Sequence, residues 1–210
     1  MNRFNQIYSW CEANKPRVIL EIGTWNGHNA ARMVNEVGKD AKVKYIGFDL
    51  WEDKEEGTDI DKLENNAKAT VTEDSVRSFL KSYDIELIKG NTRDTLPAYC
   101  RGKKPFVDMV VIDGGHSQGT IKSDFLTVLQ IVKPTGTVFL DDYYFGCQIP
   151  KMGAQTVMCN IQVPYTVLPI ADRANDGSII KLVEVKMRDV PRIDAHDVPE
   201  EKAWKFNPAA

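Results

Sequence analysis

The feature that most constrains this fold is an apolar run that passes through two glycines into a helical pattern. The run, RVILEI, is short and continuous, which is typical of a strand buried on both faces of a parallel sheet. Gly23 and Gly27 follow it, and apolar side chains then recur at helical spacing: Ala30, Ala31, Met33, Val34 and Val37. The segment predicts a strand that turns through a glycine loop onto a helix.

This alternation continues along the chain. The apolar runs KVKYIGFDL, IELIKG, PFVDMVVID and TVFLDD follow as strands, with helical patterns before IELIKG and before TVFLDD, and YTVLPI and SIIKLVEV are two late strands. One of the helices is expected from Ser117 to Val132, with KPTG ending it. Strands that alternate with helices imply right-handed crossovers and a mostly parallel sheet. We therefore expect an α/β domain over residues 1–186, with an N-terminal helix in 1–15, a seven-stranded sheet and helices on both faces. The polar residues 187–210 predict a C-terminal tail.

Composition bounds the class of protein and its partners. The net charge is −3 and no lysine and arginine cluster stands out, so we do not expect a nucleic-acid partner. No apolar run is long enough to span a bilayer, and the N-terminus lacks a signal-peptide pattern. The four cysteines show no CxxC spacing, which predicts reduced thiols and a cytoplasmic location. The oligomeric state stays open, with a homodimer as one option.

The residues that follow the predicted strands are the candidates for a binding site. In a parallel sheet the ligand lies beyond the carboxyl ends of the strands, near the point where the strand order reverses. The candidate segments are Glu21 to Gly27, Asp49, Gly90 to Thr92, Asp113 to His116, and Asp141 to Tyr143.

The first of these segments has the spacing E-x-G-x-x-x-G, formed by Glu21, Gly23 and Gly27. A dinucleotide site needs G-x-G-x-x-G so that a pyrophosphate can approach the backbone, and Trp25 would crowd that pyrophosphate. The spacing instead resembles the first motif of the class I S-adenosylmethionine (SAM) methyltransferases, with Trp25 in place of the middle glycine. SAM carries an ammonium and a sulfonium and no phosphate, so a carboxylate beside the loop is favourable. A turn that needs glycine only for its backbone is the alternative.

The resemblance implies a Rossmann-like methyltransferase fold with SAM across the ends of the first two strands. Asp49 ends the second strand, where its carboxylate can accept two hydrogen bonds from ribose hydroxyls. Capping a surface loop is the alternative role for Asp49. The segment IKGNTRDTLP resembles the part of the family that contacts adenine. The cofactor-binding candidates are Glu21, Gly23, Thr24, Trp25, Gly27, Asp49, Asn91, Thr92 and Asp113.

Three carboxylates are expected to meet at one edge of the sheet. Asp113 closes the fourth predicted strand, Asp141 and Asp142 close the fifth, and neighbouring strands lie about 4.8 Å apart. A hard divalent cation such as Mg²⁺ would relieve their repulsion. The pattern resembles the metal-dependent small-molecule O-methyltransferases of the catechol and macrolide-sugar types. We therefore expect a magnesium site at these three residues, with a helix cap and two solvated carboxylates as the alternative.

His116 lies three residues after Asp113, on the turn into the next helix. Its imidazole can accept a proton near neutral pH, which methyl transfer to a hydroxyl requires. A histidine hydrogen-bonded at a helix start is the alternative. The catalytic candidates are His116, as the base, and Asp113, through the metal.

The expected activity is SAM-dependent O-methylation of a small-molecule hydroxyl, such as that of a sugar, polyol or catechol, with a divalent cation assisting. A metal-independent N- or O-methyltransferase and a SAM-binding protein without catalysis are alternatives. The glycine spacing disfavours a nicotinamide-dependent oxidoreductase. The acidic segment at residues 52–64 is expected to be a solvated face, with a substrate lid as the alternative.

Overall fold

A computed structural model of the chain describes residues 2–38, 40–51, 71–146, 152–161, 163–174 and 177–191. The acidic segment at residues 52–64 lies outside the described residues, and so does most of the predicted tail. At the start of that tail, Met187 and Val190 pack against the core. Within the described residues, no helix is both long enough and apolar enough to cross a bilayer.

The described residues contain a seven-stranded sheet. Its strands are β1 Val18–Ile22, β2 Lys44–Asp49, β3 Asp84–Lys89, β4 Val107–Ile112, β5 Val132–Phe145, β6 Thr166–Arg173 and β7 Ile179–Lys186. The strand order is β3-β2-β1-β4-β5-β7-β6. Strand β7 runs antiparallel to β5 and β6, and the other neighbouring pairs are parallel. The order reverses between β1 and β4, which is where a ligand is expected in such a sheet.

Helices cover both faces of this sheet. They are α1 Asn5–Asn14, α2 His28–Val37, α3 Glu73–Phe79, α4 Thr92–Cys100, α5 Gln118–Val128 and α6 Ala154–Asn160. Successive strand side chains point to opposite faces. Ile19 therefore packs in the core with α1, α2 and α3, whereas Leu20 packs in the core with α4, α5 and α6. The predicted α/β fold, with a mostly parallel seven-stranded sheet between helices, is confirmed.

Two local differences from the sequence prediction have physical causes. The helix expected from Ser117 to Val132 ends at Val128, and KPTG lies inside β5, where the pairing with β4 shifts register. Helix α4 was missed because Pro97, which cannot donate to the helical ladder, stands inside it. Asn91 caps this helix by accepting a hydrogen bond from the Arg93 backbone N–H at 3.0 Å.

The loop after β1 is held very close to the end of β4. Gly23 has φ +91°, and a Cβ built on it would lie 2.0 Å from the carbonyl oxygen of Asp113. The Gly23 N–H donates to the Phe48 carbonyl, and the Asp113 N–H donates to the Ile22 carbonyl, both at 2.8 Å. These contacts join the carboxyl ends of β1, β2 and β4, and only glycine fits at position 23.

Replacing Gly23 by alanine is expected to lower the free energy of unfolding for two reasons. One is the positive φ at position 23, and the other is the overlap of the new Cβ with the Asp113 backbone. Gly102 is the matched control, because it also has positive φ, +73°, yet a Cβ there meets nothing within 4 Å. Gly102→Ala should cost about 1–2 kcal/mol, from the left-handed conformation. Gly23→Ala should cost about 1–3 kcal/mol more, from overlap with fixed backbone.

Urea unfolding monitored by circular dichroism measures both costs. Equal losses in the two variants would mean that the close approach of β1 to β4 does not constrain the fold.

Candidate active site

A cavity of about 630 Å³ opens at the carboxyl ends of the parallel strands, at the point where the strand order reverses. Asn2, Arg3 and Phe4, which precede α1, also line it. The predicted site residues that line the cavity are Gly23, Thr24, Trp25, Asp49, Asn91, Thr92, Asp113, His116 and Asp142. Glu21, Gly27 and Asp141 do not line it.

Glu21 lies beneath the glycine loop, where it supports the loop from below. Its side chain is fully buried, and it accepts a hydrogen bond from the hydroxyl of Tyr45, which also lies 3.1 Å from the Thr24 hydroxyl. Its Oε1 has no hydrogen-bond partner among the described residues. Burial raises the pKa of Glu21 to about 8, although the Tyr45 hydrogen bond opposes this. Glu21 is therefore placed to support the loop and not to contact a ligand in the cavity directly.

This raised pKa makes a prediction about stability. The folded protein retains a proton on Glu21 that the unfolded chain loses above its ordinary pKa of 4.5. The stabilisation is therefore greatest below pH 4.5 and is lost as pH rises towards about 8. Glu21→Gln resembles the protonated acid. It should therefore remove this fall in the free energy of unfolding with pH, which can reach about 1.4 kcal/mol per pH unit. Urea unfolding between pH 5 and pH 8 measures how the free energy of unfolding changes with pH. The same pH dependence in Glu21→Gln and in the parent would contradict a raised pKa of Glu21 in the folded protein.

Trp25 stands where the resembled motif has its middle glycine, and its φ is +46°. Two hydrogen bonds hold this left-handed conformation. The Trp25 N–H donates to Asp49 Oδ2 at 2.7 Å, and the Trp51 indole N–H donates to the Trp25 carbonyl at 2.9 Å. The structure thus keeps the backbone geometry of a glycine loop without the glycine.

Asp49 connects this loop to the end of β2. Its Oδ1 accepts the Trp51 backbone N–H at 2.8 Å, so each carboxylate oxygen receives one backbone hydrogen bond. A carboxylate has about four acceptor positions, so both oxygens can still accept from a ligand in the cavity. Asp49 is therefore a structural residue of the loop and a candidate ligand contact at once.

The carboxylates of the expected magnesium site do not assemble as predicted. Both oxygens of Asp141 are bound by Arg3, whose Nε and Nη2 donate at 2.6 and 2.5 Å. The Asp141 side chain is 0% exposed, whereas Asp142 lines the cavity. Among the described residues, no group of three histidine, cysteine, aspartate or glutamate side chains could hold a metal ion. The predicted set of Asp113, Asp141 and Asp142 therefore does not fit Mg²⁺, because an arginine already neutralises one of its members.

Asp142 instead faces His116. The His116 Nε2 lies 3.4 Å from Asp142 Oδ2, and the Tyr144 hydroxyl donates to Asp142 Oδ1 at 2.8 Å. Burial and the neighbouring Asp141 raise the pKa of Asp142, and His116 and Tyr144 oppose that rise. Asp142 has φ +59°, a strained conformation of the kind that clusters at functional sites.

The backbone carbonyl of His116 accepts the Gly153 N–H at 2.9 Å, which fixes the turn that carries the imidazole. A histidine with a carboxylate behind it, in a cavity, is the arrangement of a general base and its positioning residue. The sequence pointed to His116 as the base, and it missed Asp142 as its partner.

A family model described as a methyltransferase domain matches residues 20–143, more than half of the chain. The O-methyltransferase TomG from Streptomyces achromogenes, solved in complex with SAM, is 18% identical over 87% of this chain and 78% of that chain, with a TM-score of 0.61. The O-methyltransferase from Bacillus cereus, in complex with SAH, is 16% identical over 87% of this chain and 80% of that chain, with a TM-score of 0.58.

The SAH-bound methyltransferase PaMTH1 from Podospora anserina is 17% identical over 87% of this chain and 77% of that chain, with a TM-score of 0.55. A search among curated protein sequences finds no match. The match over residues 20–143 confirms the class that the glycine-loop spacing predicted. The chain belongs to the methyltransferase-domain family and has the Rossmann-like fold of the class I SAM-dependent methyltransferases.

Proposed function

We propose that the protein transfers a methyl group from SAM to a hydroxyl of a small molecule held in the cavity at the strand ends. The observation that carries this proposal is that His116 and Asp142 line the same cavity as Asp49. A candidate cofactor contact and a proton acceptor with its own carboxylate therefore share one cavity. A protein that only binds SAM has no need of the second group.

The cofactor end of the cavity suits SAM in its charge and in its hydrogen-bonding groups. Asp49 keeps acceptor positions for the two ribose hydroxyls. Asn91 and Thr92, at the start of α4, line the cavity on the side of β3 and are candidates for the adenine contacts. The cofactor carries no phosphate, so these groups do not need the close backbone approach that a pyrophosphate requires.

The reaction proposed is an in-line displacement. The acceptor oxygen forms a bond to the methyl carbon, the bond from sulfur to that carbon breaks, and S-adenosylhomocysteine (SAH) leaves. The acceptor proton moves to the imidazole of His116. The carboxylate of Asp142, 3.4 Å behind that imidazole, orients it and stabilises the imidazolium that forms. Most of the acceleration would come from holding the reactants at about 3 Å in line.

Magnesium has no step in this proposal. The sequence resemblance implies a divalent cation, but Arg3 engages both oxygens of Asp141, and these residues do not form a metal site in the structure. The alternative of a metal-independent methyltransferase thus receives support from the Arg3–Asp141 contact.

A nitrogen acceptor is disfavoured for a different reason, since a neutral amine attacks a sulfonium methyl without needing the base that His116 supplies.

Asp49→Ala should weaken SAH binding by about 1.5–3 kcal/mol, the range for hydrogen bonds to a charged group. Asp108→Ala is the matched control. Asp108 also accepts two backbone N–H bonds, from Arg17 and Val18 at 3.0 and 2.9 Å, but it lies outside the cavity lining. Asp108→Ala should lower stability and leave SAH affinity unchanged. Calorimetry measures both affinities, and tight binding of NAD with none of SAH would contradict the cofactor assignment.

His116→Ala should lower kcat by about 10²–10⁴-fold, the usual contribution of a general base, and leave SAH affinity unchanged. Asp142→Asn should lower kcat less. The double variant should lose little beyond His116→Ala, because the two groups act as one unit. His28→Ala is the control for loss of a cavity imidazole, since His28 also lines the cavity but packs edge-on against Phe79 and has no carboxylate partner in the described part of the chain. Transfer of labelled methyl from SAM to a panel of catechols and sugars measures kcat, and a His116→Ala variant with the parent's kcat would exclude His116 as the base.

A further inference from the structure

We propose that Arg3 is a built-in cation of the acceptor site, in the place where a divalent metal was expected, and that methyl transfer therefore proceeds without a metal. This inference rests on the proposed O-methyl transfer. It assigns a role to the first turn of the chain, which lines the cavity beside Asp142 and Tyr144 although it lies about 140 residues away in sequence.

The guanidinium of Arg3 is held in a fixed orientation. It makes a two-point contact with Asp141, and its Nη1 donates to Asp172 Oδ2 at 2.8 Å. A guanidinium has five N–H groups, so two of them remain without a partner among the described residues. The side chain is 17% exposed and lines the cavity, so these donors are within reach of a bound molecule.

The backbone that carries Arg3 is also fixed. Gln6, one turn later in α1, exchanges two hydrogen bonds with the backbone of Ile170 in β6, at 3.2 and 3.0 Å. Ile7 and Cys11 of the same helix are fully buried in the core. The cation is therefore preorganised, as an electrostatic group in an active site must be.

The charge on Arg3 is permanent. Burial alone would lower the pKa of the guanidinium, but hydrogen bonds and attraction to Asp141 and Asp172 outweigh it and hold the pKa above its ordinary value. Arg3 therefore cannot act as an acid or a base. What it can do is donate hydrogen bonds to an acceptor oxygen and stabilise negative charge as the proton leaves for His116, which is the electrostatic part of what a metal would supply.

Removing Arg3 should create the metal site that the sequence predicted. In Arg3→Ala, Asp141 should lose both its counter-charge and the side chain that covers it, and so become open to the cavity that Asp113 and Asp142 line. The expected result is that Mn²⁺, followed by electron paramagnetic resonance, binds Arg3→Ala and does not bind the parent protein at this place. Arg3→Lys keeps the positive charge and should continue to exclude Mn²⁺.

Cys11→Ala is the control for a purely structural effect, because Cys11 of α1 is fully buried, with its thiol 3.7 Å from the Met109 sulfur, and does not line the cavity. It should lower the melting temperature and leave the protein without bound Mn²⁺. If Cys11→Ala binds Mn²⁺ as Arg3→Ala does, or if Arg3→Ala and the parent protein bind Mn²⁺ equally, Arg3 does not occupy a cation position and the inference is overturned.

The activity readout uses labelled SAM with catechol as the hydroxyl probe and SAH calorimetry in parallel. Transfer by the parent protein should be unchanged by EDTA, and Arg3→Ala should lose about 100-fold in kcat/KM with SAH affinity retained. Transfer by the parent that stops in EDTA and returns with Mg²⁺ would overturn the inference while supporting the proposed function. A parent protein that binds no SAH would instead defeat the proposed function, and the Mn²⁺ comparison would still decide the role of Arg3.

Discussion

The close backbone contact between Gly23 and Asp113 is the constraint on which the rest of the site depends. It brings the loop after β1 against the end of β4, at the point where the strand order reverses. The Gly23 N–H is also bonded to the end of β2 through Phe48. Three strand ends are thereby fixed together, and the loops that leave them face a single cavity. Any side chain at position 23 would force β1 and β4 apart and open this arrangement.

Glu21, Asp141 and Asp142 are buried near that cavity, and each is accommodated differently. Glu21 sits under the loop and keeps a proton, with Tyr45 as its hydrogen-bond donor. Asp141 is paired with Arg3, which donates to both of its oxygens. Asp142 lies between a histidine and a tyrosine hydroxyl, and burial raises its pKa. A buried charge is costly unless it is paired or neutralised, so these partners determine what each carboxylate can do.

Because each of these carboxylates has its own partner, the proposed reaction does not require a cluster of unpaired carboxylates at the strand ends. The acid beneath the loop supports the backbone that would meet the cofactor. In the proposed reaction, Arg3, held by Asp141, would donate hydrogen bonds at the acceptor end. In the same reaction, His116, oriented by Asp142, would accept the proton. Each role follows from a partner and not from the residue type alone.

The sequence predicted what depends on local pattern. The strand alternation and the rule that ligands lie at strand ends placed Asp49, Asp113 and His116 at one edge of the sheet, and the structure has them lining one cavity. It could not predict the contact of Arg3 with Asp141, because 138 residues separate them and no local pattern connects the two.

Nor could the sequence separate Asp141 from Asp142. One of these neighbours is buried against Arg3 and the other faces the cavity. That outcome is set by the positive φ of Asp142 and by a register shift between β5 and β7. Both features depend on how β5 pairs with β7, which the periodicity of a single strand does not predict.

A crystal structure of the protein bound to SAH tests the central claim most directly. The account predicts that the two ribose hydroxyls lie within hydrogen-bond distance of the Asp49 carboxylate. It also predicts that the sulfur points along the cavity towards His116, with Arg3 still bound to Asp141. An SAH molecule whose ribose lies away from Asp49, or whose sulfur faces away from His116, would contradict the account.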